Sequence, residues 1–209
     1  MYKISKRLLD ILGGMVGVLI FSPVTAGTAL FIKIISPKGP IFADIPKRVG
    51  PNGKEFRLFK FRTMIPNAHE YLMNNPELHQ KYVANNYKLD PDPRWIKGAG
   101  FIRKYSIDEM PQFFNILVGD MSLVGPRAYY PFELRDQAKK YPKTKKYIAI
   151  VKTIKPGLTG PWQISGRSTI SFPKRIKMDA EYANNRSIWY DLKVIMKTPQ
   201  AVITGKGAY

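Results

Sequence analysis

The chain has no cysteine, which excludes disulfides, thiolate metal sites and a cysteine nucleophile. Its only histidines are His69 and His79, too few for a histidine-rich zinc site or a histidine-based triad. Acids are scarce: 15 Asp and Glu stand against 34 Lys and Arg, for a formal net charge of +19. Such an excess calls for an anionic partner, and nucleic acid, an anionic membrane surface and a phosphate-bearing substrate all qualify. There is no internal repeat, low-complexity tract or linker that would mark a second soluble domain. "GRSTISFPKR" lacks the Walker pattern, and "GAG" at Gly98 lacks the dinucleotide fingerprint. What is present is 44% hydrophobic content over 209 residues, enough for a real core.

From Ile11 to Ile32, "ILGGMVGVLIFSPVTAGTALFI" carries no charge for 22 residues, about the length that spans a bilayer as a helix. The basic front end of Lys3, Lys6 and Arg7 also suits a signal peptide, but the apolar region of a signal peptide is shorter. A plain spanning helix conflicts with charge placement. Lys33, Lys38, Lys47 and Arg48 follow the segment, so both flanks are drawn to the cytoplasm. Pro23 removes a backbone donor in the middle, and Ser22 can satisfy the carbonyl so freed. These features predict a helix-break-helix at Ser22-Pro23 that enters one leaflet and returns, with residues 1 and 209 both on the cytoplasmic side.

After the breaker-rich "SPKGP", the stretches "PIFAD" and "EFRLFKFRTM" flank "GPNG" and read as a hairpin. Residues 67–86 have the spacing of one or two helices, ended by "DPDPR". Ser106 to Leu117 reads as a helix closed by the turn "GDMSLVGPR". A basic, tyrosine-rich helical segment runs from Phe132 to about Lys152, "KPGLTGPWQISGRS" reads as loop, and two helices follow it. The predicted fold is mostly α with a small β-hairpin, monotopic on a membrane through its re-entrant helix and surface-lying amphipathic helices. Residues 1–37 form the membrane helix and 38–209 the cytoplasmic catalytic domain.

Two acids interrupt this basic chain in "SIDEMPQ", Ser106 to Gln112. Ser106 and Glu109 match a capping box, which needs no chemistry. The other reading is chemical. An ionised Asp108 is a usable nucleophile toward phosphorus, and Glu109 can hold a divalent cation. Arg103, Lys104, Arg127, Lys60 and Arg62 could clamp a diphosphate beside them.

"KFRTM", "IDEMPQFFNILVGDMSLVGPR" and "KPGLTGPWQISGR", in this order and spacing, closely resemble the signature blocks of the bacterial sugar transferases, the monotopic polyprenyl-phosphate phosphoglycosyl transferases. The likeness extends to the Ser-Pro segment and covers nearly the whole chain. Its ending "SIWYDLKVIMKTPQAVITGKGAY" is most like that of the undecaprenyl-phosphate galactose or glucose phosphotransferases. The resemblance implies that Asp108 attacks the β-phosphate of a UDP-sugar, releasing UMP and leaving a phosphosugar on the enzyme. Undecaprenyl phosphate then carries the phosphosugar away, in the first membrane step of surface polysaccharide synthesis. It further implies that Glu109, with Asp108, attends a Mg²⁺ ion, and that Lys60, Arg62, Arg103 and Arg127 lie near the phosphates. Gln163, Arg167 and Asp179 match other signature positions. The implied setting is the cytoplasmic face of the bacterial inner membrane, and a homodimer is compatible with it.

Where the family reads Pro-Arg-Pro this chain has Ala128, which leaves the rigidity of the Arg127 loop in question. Larger relatives carry transmembrane helices ahead of this region, so the chain is either a natural minimal form or a truncated one. Two rival readings are a nucleic-acid binder, for which no recognised motif is present, and a non-catalytic membrane scaffold that binds lipid or phosphate. Trp95, Trp162 and Trp189 read as core packing or interface anchors.

Overall fold

The computed structural model describes residues 2–85, 89, 91–205 and 207. The first element, α1 (Tyr2–Ile35), is one continuous helix with Pro23 inside it. The break expected at Ser22-Pro23 is absent as a break. Pro23 cannot donate to the Leu19 carbonyl, and Ser22 Oγ donates to that oxygen instead at 2.8 Å, so the helix carries on through a local repair.

The two faces of α1 differ. Asp10, Gly14, Gly17, Thr28 and Ile32 recur at helical spacing and are buried, whereas Leu8, Leu12, Val16, Leu19, Leu30 and Ile34 are exposed. Glycine lets the buried face come close: a Cβ at Gly13 or Gly17 would collide with Leu123 or Phe113. Near its start, α1 is tied down by charge. Lys6 Nζ lies 3.2 Å from Asp10 and 3.0 Å from Asp191, and Asp10 Oδ1 accepts from Ser122 Oγ (2.8 Å) and the Leu123 amide (2.9 Å). Near its end, Ile32 packs with Phe61, Ile96 and Ala99. Both ends therefore rest on the same body of structure.

The expected hairpin is present in short form. β1 (Arg48–Val49) pairs antiparallel with β2 (Glu55–Phe56) across a Pro51–Gly53 turn, in which Asn52 and Gly53 take the left-handed conformation. Pairing resumes further out, where Phe42 and Phe61 bridge. The helical stretch after Asn67 is two helices, α2 (Ala68–Met73) and α3 (Pro76–Ala84); its expected end at Asn86 lies outside the described residues. Then come α4 (Ala99–Lys104), a 3₁₀ turn at Ile107–Glu109 and α5 (Gln112–Val118).

Beyond α5, two stretches read as loop contain strand. β3 (Ser122–Val124) and β4 (Gly157–Thr159) pair in parallel, Ser122 with Gly157 and Val124 with Thr159. Each is too short to show a period of two in sequence. Between them lie α6 (Pro131–Lys140) and α7 (Lys145–Val151), and after them α8 (Pro161–Ser165), α9 (Phe172–Asn185) and α10 (Ile188–Thr204), the last capped by Ser187 Oγ accepting from the Tyr190 amide. Leu134, Ile148, Val151 and Ile176 join α6, α7 and α9 in one core, while Val124, Tyr182 and Val194 join β3 to α9 and α10.

Candidate active site

The acids do not form the capping box that "SIDE" suggests. Ser106 is left-handed (φ 55°), makes no cap bond, and its Oγ instead accepts from Arg167 Nη2 at 3.3 Å. Helix α5 starts only after Pro111, so Asp108 and Glu109 stand on the 3₁₀ turn that leads into it.

That turn is fixed from two sides. The Phe61 amide donates to the Asp108 carbonyl (2.9 Å), laying the 57–61 segment against it. Asn115 of α5 clamps the same segment: its Oδ1 accepts from the Phe59 amide (2.9 Å) and its Nδ2 donates to the Arg57 carbonyl (2.7 Å). Lys60 is thereby presented to both acids, with Nζ 2.8 Å from Asp108 Oδ2 and 3.5 Å from Glu109 Oε1.

The two carboxyls are unlike. Asp108 is 2% exposed, and burial pushes its carboxyl above the usual range against the pull of Lys60, with Glu109 adding to the rise. The Glu109 side chain is 35% exposed. What burial it has works against ionisation, but Lys60, Arg127 and Arg167 outweigh it and hold its carboxyl below the usual range. Arg103 from α4 donates to Thr63 Oγ1 (3.3 Å) and lies over the Trp95 ring. Arg167, itself left-handed (φ 53°), also donates to the Lys104 carbonyl at 3.5 Å. The Arg127 guanidinium sits 5.2 Å from the centre of the Trp162 ring. Among the described residues, none of Arg103, Arg127 and Arg167 forms an ion pair with a carboxylate.

The structure thus brings together Lys60, Arg103, Asp108, Glu109, Arg127 and Arg167. Three predicted residues stand apart. Arg62 turns away to the exit of α1, donating to the Ser36 carbonyl (2.7 Å) and Ser36 Oγ (2.8 Å) and to the Pro40 carbonyl. On a regular strand it would share a face with Lys60 two residues before it, but residues 57–60 and 62–63 are not strand, so the period of two does not hold here. Asp179, fully buried on α9, lies behind the Arg127 loop: its Oδ2 accepts from the Arg127 amide (3.1 Å) and the Tyr129 hydroxyl (2.9 Å), and burial raises its carboxyl to about 7. Gln163 Nε2 is used by the Leu158 carbonyl at 2.8 Å, and its buried Oε1 has no partner among the described residues. Sequence reasoning missed Asn115 and Arg48, whose partners lie about 60 and 80 residues away and leave no local signal.

A family model described as "Bacterial sugar transferase" matches residues 1–205. The chain belongs to this family. This sugar transferase is 44% identical over 211 residues to the galactosyl transferase CpsE of Streptococcus agalactiae serotype III, covering 99% of this chain and 44% of that protein. It is 37% identical to the undecaprenyl-phosphate galactose phosphotransferase of Salmonella typhimurium, covering 99% of this chain and 42% of that protein. With the exopolysaccharide production protein ExoY of Rhizobium meliloti it shares 36% identity over 98% of this chain and 88% of that protein. The sugar transferase chain spans less than half the length of the first two relatives and nearly all of the third.

Proposed function

We propose that this chain transfers a sugar-1-phosphate from a UDP-sugar to undecaprenyl phosphate. The observation that carries the reading is a buried carboxyl, Asp108, on Lys60 beside three arginines that lack carboxylate partners among the described residues. A nucleophile and an excess of positive charge stand together, which suits a diphosphate. A carboxylate oxygen of Asp108 attacks the β-phosphorus. The bond from that phosphorus to the bridging oxygen breaks, and UMP leaves with the electron pair while Arg103, Arg127 and Arg167 balance the charge on the phosphates. A phosphate oxygen of the lipid then attacks the same phosphorus and frees Asp108.

Asp108 and Glu109 are two carboxylates with one of them open, which fits the way Mg²⁺ is held by one or two acids plus substrate phosphates. When bound there the ion supplies charge neutralisation at the phosphate oxygens. A UDP-hexose is the proposed donor, since two relatives are named for galactose transfer. The test is incubation of the purified chain with UDP-galactose, UDP-glucose or UDP-N-acetylgalactosamine, without lipid. UMP release up to one per site, with a phosphosugar found by mass spectrometry on the peptide containing Asp108, is expected. A non-catalytic scaffold that only binds lipid or phosphate gives neither, and an adduct on another peptide moves the chemistry elsewhere.

The same reading places α1 in one leaflet of the bacterial inner membrane, with residues 38–209 on the cytoplasmic face. It is supported by the basic flanks at both ends of α1 and by the packing of both ends on one body. Cysteines introduced at Tyr2 and at Lys38 should be labelled from the same side. Labelling from opposite sides means that α1 spans.

A further inference from the structure

Arg127 stands on a segment, residues 125–130, that is neither helix nor strand, and Ala128 gives this segment no intrinsic stiffness. It is held from outside. The Val49 amide donates to the Tyr129 carbonyl at 3.0 Å. Asp179 takes the Arg127 amide and the Tyr129 hydroxyl. Arg48 Nη1 donates to the Ala128 carbonyl at 3.1 Å, and the same guanidinium lies 3.2 Å from the centre of the Tyr130 ring.

Arg48 is an unusual group to find in this place. It is only 6% exposed, and among the described residues it has no carboxylate ion pair and its Nε has no hydrogen-bond partner. A buried cation with no carboxylate in direct contact is costly, and an apolar side chain would fill the same space at less cost. What a guanidinium adds is geometry. Its planar fork stacks on a ring and donates to a backbone oxygen at once, which an ammonium does not do. Both contacts fall on the residues that follow Arg127, and Arg127, Glu133 and Glu109 lie within its electrostatic reach.

We infer that Arg48 is a positioning residue: with Tyr130 it clamps the 127–130 segment so that the Arg127 guanidinium is aimed at the Glu109 side of the acid pair. The inference rests on the proposed function only in taking Arg127 to bind the donor's diphosphate. The clamp does for this segment what a fixed φ would do. Proline at 128 is therefore its natural substitute, and no hydrogen bond from the Ala128 amide among the described residues would be lost.

The test uses the full chain and four variants: Arg48→Met, Arg48→Lys, Ala128→Pro and the double variant Arg48→Met/Ala128→Pro. UMP release gives KM and kcat for the UDP-sugar, and hydrogen exchange reports the Arg127 and Val49 amides. Arg48→Met should raise KM on the order of tenfold and speed exchange at those two amides while leaving core amides unchanged. Arg48→Lys should behave like Arg48→Met, Ala128→Pro like the wild type, and the double variant should regain most of the lost KM and protection. Wild-type KM in Arg48→Lys overturns the clamp in favour of simple charge attraction. A lowered thermal midpoint with KM and local exchange unchanged overturns it in favour of bulk stability, and failure of proline to rescue either readout also overturns it. Absence of UMP release by the wild type would sink the proposed function instead, and the exchange readings on the same variants would still decide the clamp.

Discussion

Two places in this molecule set one lysine between two carboxylates, and they serve opposite ends. At the base of α1, Lys6 bridges Asp10 and Asp191. Every acid oxygen there with a neighbour is well supplied: Asp10 takes a serine hydroxyl and an amide, and Asp191, fully buried, takes the hydroxyls of Tyr182 and Tyr2. Burial, then the Asp191 charge, pushes the Tyr182 hydroxyl far up, so it stays a donor. At the acid pair, Lys60 bridges Asp108 and Glu109, but there Glu109 is partly open, and Arg127 and Arg167 beside it and Arg103 beside Asp108 have no acid partner among the described residues. The first cluster is buried, and its acids are supplied by Lys6, a serine, an amide and two tyrosine hydroxyls, so it works as an anchor. The second has positive charge left over and an opening, and it is ready for an anion.

Asp108→Asn and Lys6→Met sharpen that contrast by breaking each cluster at one atom. Asp108→Asn should abolish UMP release, yet keep or raise the thermal midpoint, because a neutral amide avoids the burial penalty that lifts the Asp108 carboxyl. Lys6→Met should do the reverse. It leaves two buried acids uncompensated, at a cost of about 3–5 kcal/mol, while turnover per folded molecule is retained. Steady turnover by Asp108→Asn, or a Lys6→Met protein as stable as the wild type, would erase the distinction.

A smaller effect concerns pH. The Asp179 carboxyl is raised by burial to about 7 in the folded state, above its value of 3.8 when unfolded. A raised acid favours folding while protonated, and that contribution is lost as pH rises through about 7. The thermal midpoint should therefore rise as pH falls from 8 to 5, and Asp179→Asn should flatten this dependence. A wild-type midpoint that is level over that range means that Asp179 is ionised and compensated in the fold.

Much of the site was legible because it is short-range. "SIDEMPQ" announced its acids, and Lys60, Arg103, Arg127 and Arg167 stand in blocks whose order is a signature. Arg62 lies two residues from Lys60, which on a regular strand would put both on one face, but the segment is not regular strand and the Ser36 and Pro40 oxygens at the exit of α1 take the guanidinium. The capping box had the right letters. It failed because Ser106 turns left-handed and its hydroxyl oxygen accepts from an arginine 61 residues away.

Pattern by itself determined the long apolar helix, the hairpin turn, the helices after Ser171 and Ser187, and the excess of positive charge. Each of these depends on periodicity, turn chemistry or composition, which act over a few residues or over the whole chain. Only the tertiary structure decided that Pro23 does not end α1, that β3 and β4 pair, that Asn115 sets Lys60, and that Arg48 holds the Arg127 segment. Those outcomes depend on which backbone groups distant residues leave without partners. No local spacing encodes that, because a buried carbonyl or amide takes whatever donor or acceptor the packing of the chain brings to it.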